Sequence, residues 1–105
     1  PYILREIGEM QVYVDAVLQR VGTAYSRAAW PVTVRTGTMQ GLATHQAGVI
    51  IVPGPVRQVT MLHEVAHHLV GSGQEHGQVF LDAFCFLLEQ EMGADIKNRL
   101  LYELR

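Results

Sequence analysis

The chain has 105 residues, of which 49% are hydrophobic and 17% charged, and its formal net charge is −2. This length supports one hydrophobic core, so we expect a single domain over residues 1–105. The charge balance shows no excess of basic residues of the kind that binds nucleic acid. No apolar run is long enough to span a membrane. The only cysteine, Cys85, rules out an intrachain disulfide and favours a reducing compartment, so we expect a cytoplasmic protein.

The first third of the chain predicts a helix followed by a strand. Apolar residues recur at steps of three and four from Ile3 to Val21, which is typical of an amphipathic helix, and Gly22 ends it. Residues 30–35 then alternate as in a β-strand, with Val32 and Val34 facing inward.

The middle of the chain predicts a second strand region that leads directly into a helix. Leu42 to Val52 is typical of a strand or hairpin arm, with a turn or bulge at Gln46-Ala47-Gly48. Gly54-Pro55 favours a helix start, with the proline in the first helical turn. We expect that helix to run from Val56 to Val70 and, because it is apolar nearly all round, to be buried.

The last third of the chain is predicted to be helical. The helix starts at His76, pauses at Gly93 and resumes from Asp95 to Arg105, where Leu100, Leu101 and Leu104 either cap the core or contact another subunit. The order of elements predicts an α+β fold: an N-terminal helix, a small mixed or antiparallel sheet, a buried central helix and a C-terminal helical segment.

The central helix carries the motif HExxH at residues 63–67. His63 and His67 are four residues apart, so they project from one helical face, about 40° from each other, and can bind one metal ion together. Glu64 projects about 100° away from His63, beside the ion, where a carboxylate can take a proton from a metal-bound water. Burying these polar groups in a helix also costs free energy unless hydrogen bonds or a metal ion satisfy them.

A third ligand is expected from the segment that follows this helix. His76 follows a loop of five residues, Gly71 to Glu75, and that loop can extend up to roughly 17 Å, which is enough to return to the metal. If His76 instead faces solvent, Glu75 or Asp82 would take its place as a ligand.

HEVAHH followed closely by HGQVF resembles the zincin superfamily, in particular its SprT-like and WLM-like branch. The chain also resembles a small family of actinobacterial and phage metallohydrolases, and this resemblance extends through most of the chain. It implies a zincin-like fold, one zinc per chain, His63, His67 and His76 as ligands and Glu64 as the base. A metzincin would have glycine at position 70 and histidine at position 73, where this chain has Val70 and Gly73. SprT-like proteases usually have a longer gap before the third histidine, together with DNA-binding elements that are not visible here.

The motif does not include several other polar residues that could orient a ligand, contact substrate or stabilise an oxyanion. Asp82 could orient a ligand imidazole, with a solvated helix face as the alternative. His68 is expected mainly to pack or hydrogen-bond, and His45 to be a surface residue, although either could contact substrate. Tyr25, Tyr102 and Arg57 could each stabilise an oxyanion, and the sequence does not choose among them.

The function predicted from these residues is a zinc-dependent hydrolase, most simply a metallopeptidase in which Glu64 activates a zinc-bound water. The alternatives are a catalytically silent zinc-binding or interaction module and, less favoured, a metal-dependent nuclease, which would not need Glu64. We expect a polypeptide substrate that adds as a strand to an edge at residues 42–48. No membrane partner is expected, and a homo-oligomer through the C-terminal helix is a further hypothesis.

Overall fold

The computed structural model describes residues 2–37, 41–71 and 76–103, and within these ranges it has an α+β fold with four α-helices and five short strands. The α+β class predicted from the sequence is thereby confirmed. The elements in chain order are β1 (Ile3–Leu4), α1 (Ile7–Val21), two 3₁₀ helices (Gly22–Ala24 and Ser26–Ala29), β2 (Thr33–Thr36), β3 (Thr44–Gln46), β4 (Val49–Val52), β5 (Val56–Arg57), α2 (Gln58–Val70), α3 (Gln78–Met92) and α4 (Ala94–Glu103). None of the helices in the described ranges is both long and apolar enough to cross a bilayer.

The three longer strands form a small mixed sheet in the order β2-β4-β3. β2 runs parallel to β4, and β3 runs antiparallel to β4. β3 therefore pairs on one side only and forms an edge of this sheet, whereas β4 lies in the middle and leads on toward α2.

A two-residue turn joins β3 to β4. Ala47 and Gly48 both have positive φ angles, 53° and 79°, as a type I′ hairpin turn requires. The interruption predicted at Gln46-Ala47-Gly48 is thus a turn and not a bulge. In such a turn Val49 donates its N–H to the carbonyl of Gln46, so the backbone groups of Gln46 point toward β4.

The direction of the backbone groups alternates along β3. Gln46 pairs with Val49 and Thr44 with Ile51, so the N–H and C=O of these two β3 residues are used inside the sheet. His45, between them, points its N–H and C=O away from β4. The free hydrogen-bonding groups at the sheet edge therefore belong to His45.

The first helix begins later than predicted. Ile3 and Leu4 are in β1, which pairs antiparallel with β5, and α1 starts only at Ile7. The Glu9 carboxylate accepts hydrogen bonds from the backbone N–H groups of Arg5, at 2.9 Å, and Glu6, at 3.5 Å. These bonds satisfy the open N-terminal end of the helix and fix its first turn there.

The central helix also begins later than predicted. Val56 and Arg57 form β5, and α2 starts at Gln58, so Pro55 precedes a strand and does not occupy the first helical turn. The pairing of β5 with β1 holds this segment extended, and Gln58 donates its backbone N–H to the carbonyl of Tyr2 at 2.8 Å. Tertiary pairing has overridden the local preference of the proline.

A single hydrophobic core surrounds α2. The buried side of α1 is the part of the predicted apolar stripe that runs from Met10 to Val21, together with Leu18. Val32 and Val34 of the β2 region face the same core. Leu100 of α4 packs against the core as well, while Leu104 lies outside the described residues. The fully buried apolar side chains of α2 are Met61, Leu62, Val65 and Ala66.

Candidate metal centre and its cavity

Three histidines come together where α2 packs against α3. His63 and His67 project from α2, and His76 lies in the turn before α3, which begins at Gln78, two residues later than predicted. One ring nitrogen from each residue can be chosen so that all three lie within 4.8 Å of one another. The structure therefore brings together the three predicted ligands.

The spacing between two of these nitrogens fits a single ion. Nε2 of His67 lies 3.1 Å from Nε2 of His76. Two ligands of a tetrahedral ion with Zn–N distances of 2.0–2.1 Å are about 3.3 Å apart. Three imidazoles are a donor set that suits zinc and other late transition metals, and they leave a fourth position for water or substrate.

Phe80 forms the apolar base of the histidine cluster. Its ring centroid lies 4.4 Å from that of His67, 4.8 Å from that of His76 and 5.1 Å from that of His63. Phe80 is buried and lies in the first turn of α3. Packing of this kind limits the freedom of the imidazoles and lowers the dielectric around the cluster, which strengthens the effect of any charge there.

Glu64 is buried beside the cluster and contacts one of its members. Its Oε2 lies 3.0 Å from Nδ1 of His63, and the residue is only 5% exposed. A carboxylate accepts from Nδ1–H, which leaves the lone pair of His63 Nε2 for a metal. The glutamate predicted as a general base is thus also placed to orient a ligand.

Asp82 does not orient a ligand, contrary to the role considered from the sequence. It is exposed on α3, where its carboxylate accepts a hydrogen bond from Gln78 Nε2 at 2.7 Å. The helical position of Asp82 turns it away from Phe80 and the imidazoles, so the alternative of a solvated helix face is correct. Glu75, the other alternative ligand, lies outside the described residues.

His68 is a buried structural residue. Its Nε2 donates to the carbonyls of Arg27, at 2.9 Å, and Trp30, at 3.1 Å, and the residue is 1% exposed. The packing and hydrogen-bonding role favoured from the sequence is what the structure shows. Burial lowers the pKa of His68, while hydrogen bonds to the two carbonyls act in the opposite direction.

His45 packs against His68 from the edge strand and is not a simple surface residue. The two ring centroids are 5.4 Å apart. Burial lowers the pKa of His45 to about 4, and the neighbouring His68 adds to the effect. Nε2 of His45 and Nδ1 of His68 are buried without a hydrogen-bond partner among the described residues.

A cavity of about 640 Å³ opens over the histidine cluster. One wall is the edge strand with its flanking residues, from Ala43 to Ala47, and the floor holds the three histidines and Glu64. The free backbone groups of His45 therefore border the same space as the candidate ligands.

A second cavity, also of about 640 Å³, adjoins the first. The two share Ala43, Glu64 and two of the histidines, His63 and His76. The remaining walls of the second cavity are mostly apolar. They comprise Leu42, Val59, Phe80, Phe84 and Leu100, together with Thr60 and Arg57.

Of the three oxyanion candidates left open by the sequence, Arg57 borders the second of these two cavities, and the other two candidates line neither of them. Tyr25 packs edge-on against Phe86, with ring centroids 5.5 Å apart, and Tyr102 is 71% exposed on α4. Sequence reasoning missed Arg27, which lines the first cavity. No local motif identifies Arg27, because it reaches the site through a contact with His68, 41 positions along the chain.

Comparison of the chain with protein-family models, with curated proteins and with solved structures found no match.

Proposed function

We propose that this protein is a zinc-dependent hydrolase, and specifically a peptidase that binds its substrate in extended form. One observation carries the proposal: three metal-competent histidines, a buried glutamate and the free edge of a β-strand border one cavity. A three-imidazole donor set leaves a coordination position open, which is typical of catalytic zinc and not of structural zinc.

The three histidines and Glu64 would have different roles in the reaction. When bound, zinc supplies Lewis acidity, which polarises a carbonyl group and lowers the pKa of a water molecule. His63, His67 and His76 would hold the ion, and Glu64 would keep His63 in the ligating tautomer. Glu64 would also accept the proton of the attacking water and pass it to the leaving amine.

The edge strand supports a polypeptide substrate. An extended peptide can add to β3 through the backbone N–H and C=O of His45, with the scissile bond over the histidines. The adjoining apolar cavity can take a large apolar side chain of that peptide, because its walls are mostly aromatic and aliphatic. We place the reaction in the cytoplasm, since Cys85 is the only cysteine.

The test is cleavage of a peptide library by the protein loaded with one equivalent of zinc, read by mass spectrometry. Wild type should cleave preferentially beside large apolar residues. The matched variant Glu64→Gln, which retains size and hydrogen bonding, should lose about 10²–10⁴-fold in rate. Zinc binding without cleavage by wild type would instead support a silent zinc-binding module. Equal cleavage by Glu64→Gln would place the base elsewhere.

A further inference from the structure

Arg27 is a fixed cation on the wall of the metal cavity. Its Nε donates to the carbonyl of His68 at 2.7 Å, near the C-terminal end of α2. One face of the guanidinium stacks on Trp30, with Cζ 4.2 Å from the ring centroid. The other side of the guanidinium lies near Gly71. A Cβ atom added to this glycine would be 3.4 Å from Cζ of Arg27, so the two residues are close. The group is held on three sides, so little rotamer entropy is left to lose on binding.

The charge of Arg27 is not neutralised by the described part of the chain. No carboxylate among those residues lies within ion-pair distance of it, and its terminal nitrogens donate no hydrogen bond there. Among the described residues that line the cavity, the one carboxylate is that of Glu64, and it is engaged with His63. Since the pKa of His45 is lowered to about 4, that ring adds no positive charge near neutral pH.

The cavity therefore has a positive end at Arg27 and gains further positive charge when a metal binds. A cavity with low-dielectric walls focuses such a field and favours anionic ligands. The open edge of a guanidinium matches a carboxylate with two parallel hydrogen bonds.

We propose that Arg27 is the anion-binding residue of the cavity and that it pairs with a carboxylate of the substrate. This inference rests on the proposed peptidase function and adds the substrate class: a peptide that carries negative charge beside the bond to be cut. The carboxylate can come from an acidic side chain or from the C-terminus of the peptide. Arg27 also satisfies an end carbonyl of α2, and the experiment has to separate that structural role from recognition.

The experiment measures binding without turnover, by fluorescence anisotropy of labelled peptides on the zinc-loaded Glu64→Gln protein. Three peptides of one sequence are compared: a central Gln with an amidated C-terminus, a central Glu with an amidated C-terminus, and a central Gln with a free C-terminus. One of the two acidic peptides should bind roughly tenfold or more tightly than the neutral one, as expected for a charge-assisted bidentate pair. The acidic peptide that binds more tightly identifies the source of the carboxylate, either a side chain or the C-terminus.

Adding Arg27→Gln should abolish this gain, so that the acidic and the neutral peptides bind to this variant with equal affinity. Arg35→Gln, which removes an exposed arginine of β2 outside both cavities, should preserve the gain. If Arg27→Gln does not fold, Arg27→Lys is the alternative. It retains the charge but lacks the planar guanidinium that forms two parallel hydrogen bonds, so it should reduce the gain in affinity several-fold.

Three results would overturn the proposal. The first is equal binding of all three peptides, and the second is a gain that persists in folded Arg27→Gln or, unreduced, in Arg27→Lys. Both would leave peptide binding itself intact. The third, no binding of any peptide by a zinc-loaded and folded protein, would overturn the peptidase proposal together with this one.

Discussion

Arg27 and His68 are joined by two reciprocal hydrogen bonds. Arg27 Nε donates to the carbonyl of His68 at 2.7 Å, and His68 Nε2 donates to the carbonyl of Arg27 at 2.9 Å. The pair ties the second 3₁₀ helix to the last turn of α2, directly behind His67. The same contact that fixes the cationic wall of the cavity therefore also fixes the backbone that carries a candidate ligand.

The histidine cluster predicts a zinc content of about one ion per chain. Replacing His63, His67 or His76 by alanine should reduce the zinc content sharply, because two imidazoles bind the ion much less tightly than three. The measurement is zinc by mass spectrometry after dialysis against a weak chelator. His45→Ala is the matched control and should retain zinc, since His45 is not in the cluster. Full zinc retention by His76→Ala would remove that residue from the site.

The contact between Glu64 and His63 predicts different effects for two substitutions. Glu64→Ala removes the acceptor for His63 Nδ1–H and should lower zinc affinity about 10–100-fold, as loss of a ligand-orienting partner does. Glu64→Gln keeps an acceptor oxygen and should hold zinc nearly as well as wild type. The measurement is competition against a coloured zinc chelator. Equal affinity in both variants would show that the hydrogen bond does not orient the ligand.

The backbone direction of β3 predicts an alternating response to N-methylation of a substrate peptide. Methylating an amide that donates to the His45 carbonyl should abolish cleavage, and methylating the next amide, which points away, should not. The readout is the cleavage rate of a peptide series methylated one position at a time. A flat response would mean that the substrate does not dock on this edge.

Proline substitutions in β3 are a poorer test than the sequence suggests. From the sequence alone, proline at Thr44 or Gln46 would be the substitution of choice, because proline lacks the backbone N–H that an edge strand could donate to a substrate. The register shows that both N–H groups already serve β4, so such variants should weaken the sheet itself. Thermal melting should reveal that damage in the absence of any peptide.

The half-buried ring of His45 predicts pH-dependent stability. Its pKa in the folded state is about 4, below the ordinary value of 6.5. Between pH 6.5 and pH 4 the unfolded chain takes up a proton that the folded chain does not, so stability falls as pH falls through that window. Above pH 6.5 this residue contributes no pH dependence. An NMR titration of the His45 ring should give the low pKa, and His45→Asn should show a shallower decline in melting temperature. A pKa near 6.5 would contradict the prediction.

The parts of the molecule that sequence predicted well are those encoded by local spacing. The apolar stripe of α1 and the face shared by His63 and His67 both follow from the helical repeat, and both are present. The two-residue strands β1 and β5 have no periodicity to detect, and they form only by pairing with each other, although all of α1 and the three-stranded sheet lie between them in the sequence. Arg27 was missed for the same reason, since its partner is distant in sequence.

All three candidate ligands fall between positions 63 and 76, within one short stretch of the chain. The loop that a bound ion would close is therefore small, and the unfolded chain can form it at little entropic cost. An ion that binds both states stabilises the folded one only by the difference between the two affinities. Chelation should consequently lower the melting temperature by less than the zinc affinity alone would suggest, so tight binding and strong stabilisation need not occur together in this protein.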